Sequence, residues 1–437
     1  MRTGAEASVA MAGLPSAREV SQLPRSAVAA AILLFVFLTL TPFPDLGDSR
    51  LLEVSSGNES ATYLAAFALL GLGGLLLHRA GRLPLRLLAS SENLLLLAWL
   101  IIVSVALSAD PGVSARRLVL ALATLLLAAM LPWLTRGLRH FTVLMLAIAG
   151  LVLALSYLGV LLVPHLTIHQ ANDLIESDLA GDWRGIYAHK NGAASVMAMF
   201  VYVGWFVVRA GRRLTGSVIA LAALIFLIES GGKSALGVLV LAVGAAFLVD
   251  RARTLPGRAV LAFAPLAAIA LLTVGSVVSE TARALTAALP IDVTFTGRTD
   301  IWSFAIDALR AHPWKGQGFE AFWYSDQVRF GAEDSSKWMA DVATSHNSYL
   351  DLALTVGLPG LGLVALAFLV APLRNFHATL ATPENRELAR LFLVLWLFSL
   401  YLGCFEAFFL SRSDPMWFVL ALAACGLRCT AELEVRE

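Results

Sequence analysis

Twelve apolar runs constrain this chain more than any other feature. They lie near residues 27–43, 61–77, 93–108, 117–134, 142–163, 191–208, 214–228, 235–249, 259–278, 349–373, 389–410 and 415–428. Runs of this kind read as membrane-spanning helices, which need about 20 residues each. The shorter ones begin in flanking polar residues or lean on neighbours. Charged residues make up 14% of the 437 and hydrophobic residues 58%, against about 25% charged in an ordinary soluble protein. The expectation is an all-α, polytopic integral membrane protein with about 12 transmembrane helices.

The loops set an orientation. One set carries the clusters Arg79/Arg82/Arg86, Arg136/Arg139, Arg209/Arg212/Arg213, Arg251/Arg253/Arg258 and Arg374/Arg386/Arg390. The alternate set is sparse or acidic, with Arg116 and Arg117 as a minor exception. Basic loops stay in the cytoplasm, so both termini are expected there. The chain then divides into a tail at 1–26, read as disordered, and nine helices in 27–278. A long loop follows at 279–348, then three helices in 349–428 and a tail at 429–437. The loops 164–190 and 279–348 share the outer face, periplasmic in a diderm host. The first run ends without a signal-peptidase site and is read as a retained helix.

The long loop is the longest stretch unsuited to a membrane. From Thr299 to Arg310, Ile301, Trp302, Ala305 and Leu309 share one helical face and Asp300, Ser303, Asp307 and Arg310 the other. That spacing predicts an amphipathic helix on the membrane or on the bundle, ended by His312-Pro313. Arg298 stands at its N-terminus, either snorkelling to head groups or holding a phosphate. Phe322, Trp323, Tyr324 and Trp338 read first as interfacial anchors and second as stacking surfaces for sugars.

His346 lies where the chain re-enters apolar sequence. Ser345 or Ser348 is expected to cap the next helix, with Asp351 completing a capping box. A neutral imidazole there is a competent general base, although a lone histidine is more often structural. In the other outer loop, Arg184 and His189-Lys190-Asn191 precede a helix. Lys233, in a third short loop, either meets a phosphate or pairs with Glu229. Glu406 is the one acidic residue noted within the late apolar runs. Cys404, Cys425 and Cys429 read as small buried side chains. A net charge of +1 gives no nucleic-acid signature, and no metal-ligand cluster, phosphate-binding loop or nucleophile motif stands out.

Four segments together resemble the O-antigen ligase and polymerase superfamily. They are Gly297-Arg298-x-x-x-Trp302, Pro313-x-x-Gly316-x-Gly318-Phe319, His346-Asn347-x-Tyr349-Leu350 and the Gly357/Gly360 pair. Tyr187 to Gly192 is similar to the family's His-Lys-Asn stretch. One departure is Gly231-Gly232-Lys233-Ser234, where the family often has Ser-Arg-Gly; lysine keeps the charge but loses the bidentate fork.

The resemblance implies a GT-C-like membrane glycosyltransferase of the bacterial inner membrane, with its site in the periplasm. Its donor would be an undecaprenyl diphosphate-linked glycan and its acceptor a lipid A-core hydroxyl. It implies transfer with inversion, with no metal and no cofactor. His346 would be the base, and Arg298, Arg184, Lys233 and Asn347 would bind the diphosphate or substrate. Membrane lipids are the remaining partners. O-antigen polymerases and protein O-oligosaccharyltransferases share these parts, and the short tail after the last helix favours the ligase over the latter. A polysaccharide or lipid transporter is the reading from another class.

Overall fold

The computed structural model describes residues 23–38, 42–47, 57–81, 90–108, 110–135, 137–173, 177–290, 292–295, 297–319, 321–324, 328, 344–412 and 414–433. The described residues are 77% helix. Among the described residues β-pairing is limited to an isolated bridge between Ile168 and Trp183. Most of the expected N-terminal tail, and Trp338, lie outside the described residues.

Each of the twelve apolar runs coincides with a helix. They are α1 (Leu23–Phe37), α2 (Gly57–Arg79), α3 (Ser91–Val105), α4 (Pro111–Leu134), α5 (Leu138–Leu162), α6 (Lys190–Arg209), α7 (Arg213–Glu229), α8 (Lys233–Arg251) and α9 (Leu255–Leu272). In the long loop come α10 (Glu280–Ala287) and α11 (Arg298–Ala311). Then follow α12 (Ser348–His377), α13 (Pro383–Leu402) and α14 (Pro415–Glu432). By length and apolarity, seven are able to cross a membrane: α2, α4, α5, α6, α8, α9 and α12. The count of about twelve crossings therefore exceeds what these criteria support. Three runs end early as helices. The first stops at Phe37, the ninth breaks at Thr273, and the eleventh stops at Leu402 rather than 410.

α13 and α14 form the middle of the bundle. Trp396, Phe398, Tyr401, Trp417 and Phe418 are fully buried there. The stretch Leu391–Leu402 of α13 is apolar and almost wholly buried, as befits a core helix. The outer helices turn large side chains outward instead, among them Leu161, Leu214 and Val240. Contiguous exposed leucine of this kind suits a lipid surround, not water. At the end where α6 and α8 finish and α13 begins, Arg209 grips Glu387 with two bonds of 2.7 and 2.8 Å, and Arg390 bridges Glu387 and Asp250.

The described parts of the long loop pack on the bundle. α11 buries Ile301, Trp302, Ala305 and Ile306 and exposes Asp300, Ser303, Asp307 and Arg310. The expected faces are thus correct, and the buried one packs on α12. Phe322 and Trp323 join Leu350 and Leu354 in that second core. They are 4% and 7% exposed, so they are core residues and not membrane anchors.

α12 is broken at Gly357, where φ is 70° and ψ 173°. A break strands backbone groups that must find partners. The Pro313–Phe319 segment supplies them. The N–H groups of Gln317 and Gly318 donate to the carbonyls of Leu354 and Thr355 at 2.7 and 3.2 Å. Leu358 N–H donates to Pro313 carbonyl at 2.8 Å, and Trp99 Nε1 donates to Val356 carbonyl at 2.8 Å. This approach requires glycine on both sides. A Cβ on Gly316 would meet the Thr355 oxygen at 2.6 Å, and one on Gly357 would strike the Trp314 carbonyl. The two glycine-bearing motifs, far apart in sequence, are one joint.

Asp414 caps α14, accepting from the N–H groups of Met416 and Trp417 at 2.7 and 3.2 Å. Burial pushes its carboxyl up to about 6, against those two bonds and with a smaller upward push from Glu406.

Gly357→Ala should lower the thermal transition of the detergent-purified protein, by the equivalent of about 2 kcal/mol for strain at positive φ; an unshifted transition would contradict the joint. Asp414 predicts a pH effect. Its folded pKa is raised, so its contribution is complete below the unfolded value and is lost as pH rises through about 6. Asn keeps the cap without the titration. The transition of the native protein minus that of Asp414→Asn should therefore fall between pH 4 and 6; a flat difference would refute it.

Candidate functional site

The long loop delivers Arg298 on a turn. Thr294 N–H and hydroxyl both bond Asp292 Oδ1, at 2.9 and 2.7 Å, and Gly297 takes φ 80° to start α11. Arg298 is the first residue of that helix. Its guanidinium donates to Glu406 Oε1 at 3.1 Å and, by a short bond, to the Phe405 carbonyl.

At the other end of the loop, Asn347 is the N-cap of α12. Its Oδ1 accepts from Tyr349 and Leu350 N–H at 3.1 and 3.0 Å, and its Nδ2 donates to the Cys404 carbonyl at 3.0 Å. The expected serine caps do other work. Ser345 N–H donates to the Asp351 carboxylate, which also accepts from Trp323 Nε1 at 3.0 Å. Ser348 N–H donates to the carbonyls of Gly403 and Glu406, and its hydroxyl donates to the Glu406 carbonyl at 2.7 Å while accepting from Phe408 N–H at 3.0 Å. The Ser348 N–H and hydroxyl are thus used to dock the 403–409 loop.

Between these anchors sits His346, with φ 51°. A non-glycine residue there is strained, and such strain persists only where neighbours over-determine it. Its Nδ1 lies 3.4 Å from Glu406 Oε2. The side chain is 33% exposed, against 15% for Arg298 and 19% for Glu406. The imidazole is therefore the part of the group that a solute reaches.

Glu406 joins the two. Burial alone pushes its carboxyl up, but the hydrogen bond with His346 and the charge of Arg298 outweigh that and hold it below the ordinary value. Removing either partner of so enclosed a pair would leave a charge uncompensated. In the sequence Glu406 is an isolated acid in an apolar run, with no motif to give it a role. The usable signal was that isolation, since acids in such runs are functional candidates.

The remaining candidates form a second group around loop 164–190. Arg184 is fully buried. It donates to the Pro44 carbonyl at 2.8 Å and the Tyr187 carbonyl at 3.3 Å, and its Nε has no partner among the described residues. Burial lowers its pKa, opposed by Asp173 and Asp45. Nearby, Lys190 pairs with Asp182 at 2.5 Å, and His169 Nδ1 lies 3.2 Å from Asp173. Lys233 begins α8 with an exposed side chain; among the described residues it has no pair with Glu229. Gly231, two residues earlier, abuts the Asp182 carboxylate. The structure brings Arg298, His346 and Asn347 together. Arg184 and Lys233 make no hydrogen bond or ion pair to that group among the described residues.

No curated protein sequence matches the chain. Residues 218–365 match the family described as O-antigen ligase. The matched stretch, 148 of 437 residues, runs from α7 through the break in α12 and includes Lys233, Arg298, His346 and Asn347, while Arg184 and Glu406 fall outside it. With several apolar helices, the match points to a bacterial membrane protein of ligase or polymerase type acting on lipid-linked glycans. The match supports the assignment of this chain to the O-antigen ligase family.

Proposed function

We propose that this chain transfers a glycan from an undecaprenyl diphosphate carrier to a sugar hydroxyl of lipid A-core, on the periplasmic face of the inner membrane. The observation that carries the reading is the shared carboxylate. Glu406 accepts from Arg298 and lies against His346, so a cation and a base are held in one rigid group.

In this reading Nδ1–H of His346 points at Glu406 and leaves the Nε2 lone pair for substrate. The acceptor hydroxyl oxygen attacks the anomeric carbon, and its proton passes to Nε2. The bond from that carbon to the diphosphate oxygen breaks, with inversion, and its electron pair leaves on the carrier. Glu406 orients the ring and stabilises the imidazolium as it forms, the role a carboxylate plays beside a histidine base. Arg298 has five N–H donors in a fixed fork. Those not committed to Glu406 and Phe405 answer the charge growing on the leaving diphosphate. Asn347 is buried with its side-chain groups engaged, so we assign it to positioning His346. Lys233, exposed on the second group, is the remaining candidate for the diphosphate or the glycan, and Arg184 supports the loop beneath it.

Purified protein mixed with carrier-linked glycan and, separately, lipid A-core, a second carrier-linked repeat or a protein acceptor should add mass to lipid A-core. Transfer only to the repeat would make it a polymerase instead. His346→Ala should reduce turnover by about 10²–10⁴-fold, the usual worth of a general base; turnover within a few-fold of native would remove His346 from that role. Glu406→Gln should lower kcat about 10- to 100-fold, matching a hydrogen bond to a charged group. Arg298→Ala should weaken use of the donor, read as a raised KM for the carrier-linked glycan; an unchanged donor dependence would take Arg298 out of the clamp.

A further inference from the structure

A crevice of about 310 Å³ lies between α3, α4, α12 and α14. Arg428 and Glu432 on its rim lie 14 and 18 residues beyond Asp414, the N-cap of α14, roughly 20–27 Å at the rise of a helix. The walls are hydrocarbon, with Leu96, Leu100, Leu122 and Phe368 among them. The mouth is polar. Glu92, Arg428 and Glu432 stand there, with Arg428 Nε 2.9 Å from Glu432 Oε1.

The backbone at this wall is unusual. Leu366–Val370 is wound as a π-helix, in which Ala371 N–H reaches back to the Leu366 carbonyl. Such turns are rare and concentrate at functional sites. The altered turn places Ala367, Phe368 and Ala371 on the crevice. Trp396 Nε1 holds the Phe368 carbonyl at 2.7 Å, so the distortion is fixed in place.

We propose that this crevice binds one acyl chain of an ethanolamine-type phospholipid. The volume is too small for a helix of a partner protein, whose diameter is about 10–12 Å, and the leucine lining suits a single chain. Head-group chemistry follows from the charges at the mouth. One guanidinium answers a phosphodiester, and the carboxylates of Glu92 and Glu432 answer a primary ammonium. A glycerol head group offers no cation to those carboxylates. The position, at the far end of the bundle from His346, places the head group at the opposite membrane surface. Leu410, four residues after Glu406, also lines the crevice, so the bound chain touches the loop that carries Glu406.

The test uses the full chain in mild detergent, offered phosphatidylethanolamine and phosphatidylglycerol of matched chains at equal concentration and read by native mass spectrometry. One phosphatidylethanolamine should be retained in preference by about tenfold. Ala371→Trp, which fills the crevice, should abolish that retention. The double variant Glu92→Gln/Glu432→Gln, at the rim and away from the core, should keep a lipid and lose the preference between the two. Equal retention of both lipids by the native chain would overturn the proposal, as would undiminished retention in a folded Ala371→Trp protein. If that variant fails to fold, an unchanged preference in the double variant overturns it alone. None of these readouts depends on transferase activity, so the outcome stands apart from that of the proposed reaction.

Discussion

The Glu406 carboxylate is the contact on which the rest of the site depends. It lies in a loop that the chain inserts between two helix ends, α13 behind it and α14 ahead. A carboxylate so enclosed costs free energy unless it is paired and hydrogen-bonded. Arg298 supplies the pair and His346 the second partner. Because those two come from opposite ends of the long loop, satisfying one buried charge closes that loop against the bundle. Ser348 and Asn347 complete the closure by binding the carbonyls of Gly403, Cys404 and Glu406.

A second constraint sits about two and a half helix turns further along α12, at Gly357. The break at Gly357 lets the Pro313–Phe319 segment cross α12 at backbone distance, and that segment follows directly on α11. The joint therefore sets the far end of α11 while Glu406 sets its start. Between them the second core of Trp302, Phe322, Trp323 and Leu354 fills the gap. Arg298 is held at both ends of its own helix, which is what a preorganised cation requires.

Much of this was legible in the sequence, and the reasons for the rest are physical. Helix positions followed from apolar periodicity, and α11 was read within a residue at each end with its faces correct. Arg298 and His346 stood out because charge and imidazole beside apolar runs are rare. Glu406 was hidden because it continues an apolar run, and hydropathy does not reveal that Gly403 ends the helix before it. Phe322 and Trp323 were read as anchors since an aromatic at a membrane edge and an aromatic under an amphipathic helix look alike in one dimension. Arg184 looked like an anion site because it precedes a helix; that its guanidinium turns inward to Pro44 and Tyr187 is a tertiary fact. The N-cap fell to Asn347 and not to a serine, a difference of one residue among three that all cap well.

The charge balance of the group explains why a carboxylate belongs beside a cation meant for an anion. At rest, Arg298 and Glu406 cancel, so their pair buries no net charge. In the proposed transfer two charges appear together, a proton on His346 and negative charge on the departing diphosphate. Each has a counterpart in place: Glu406 beside the imidazolium, and the guanidinium beside the diphosphate. The group moves from one ion pair to two without any side chain having to travel. Replacing Glu406 by a neutral residue would leave Arg298 as a stronger resting anion site, but it would leave the imidazolium without a partner at the moment it forms. Such a site would hold the donor tightly and turn it over slowly, because binding energy gained in the ground state does not lower the barrier.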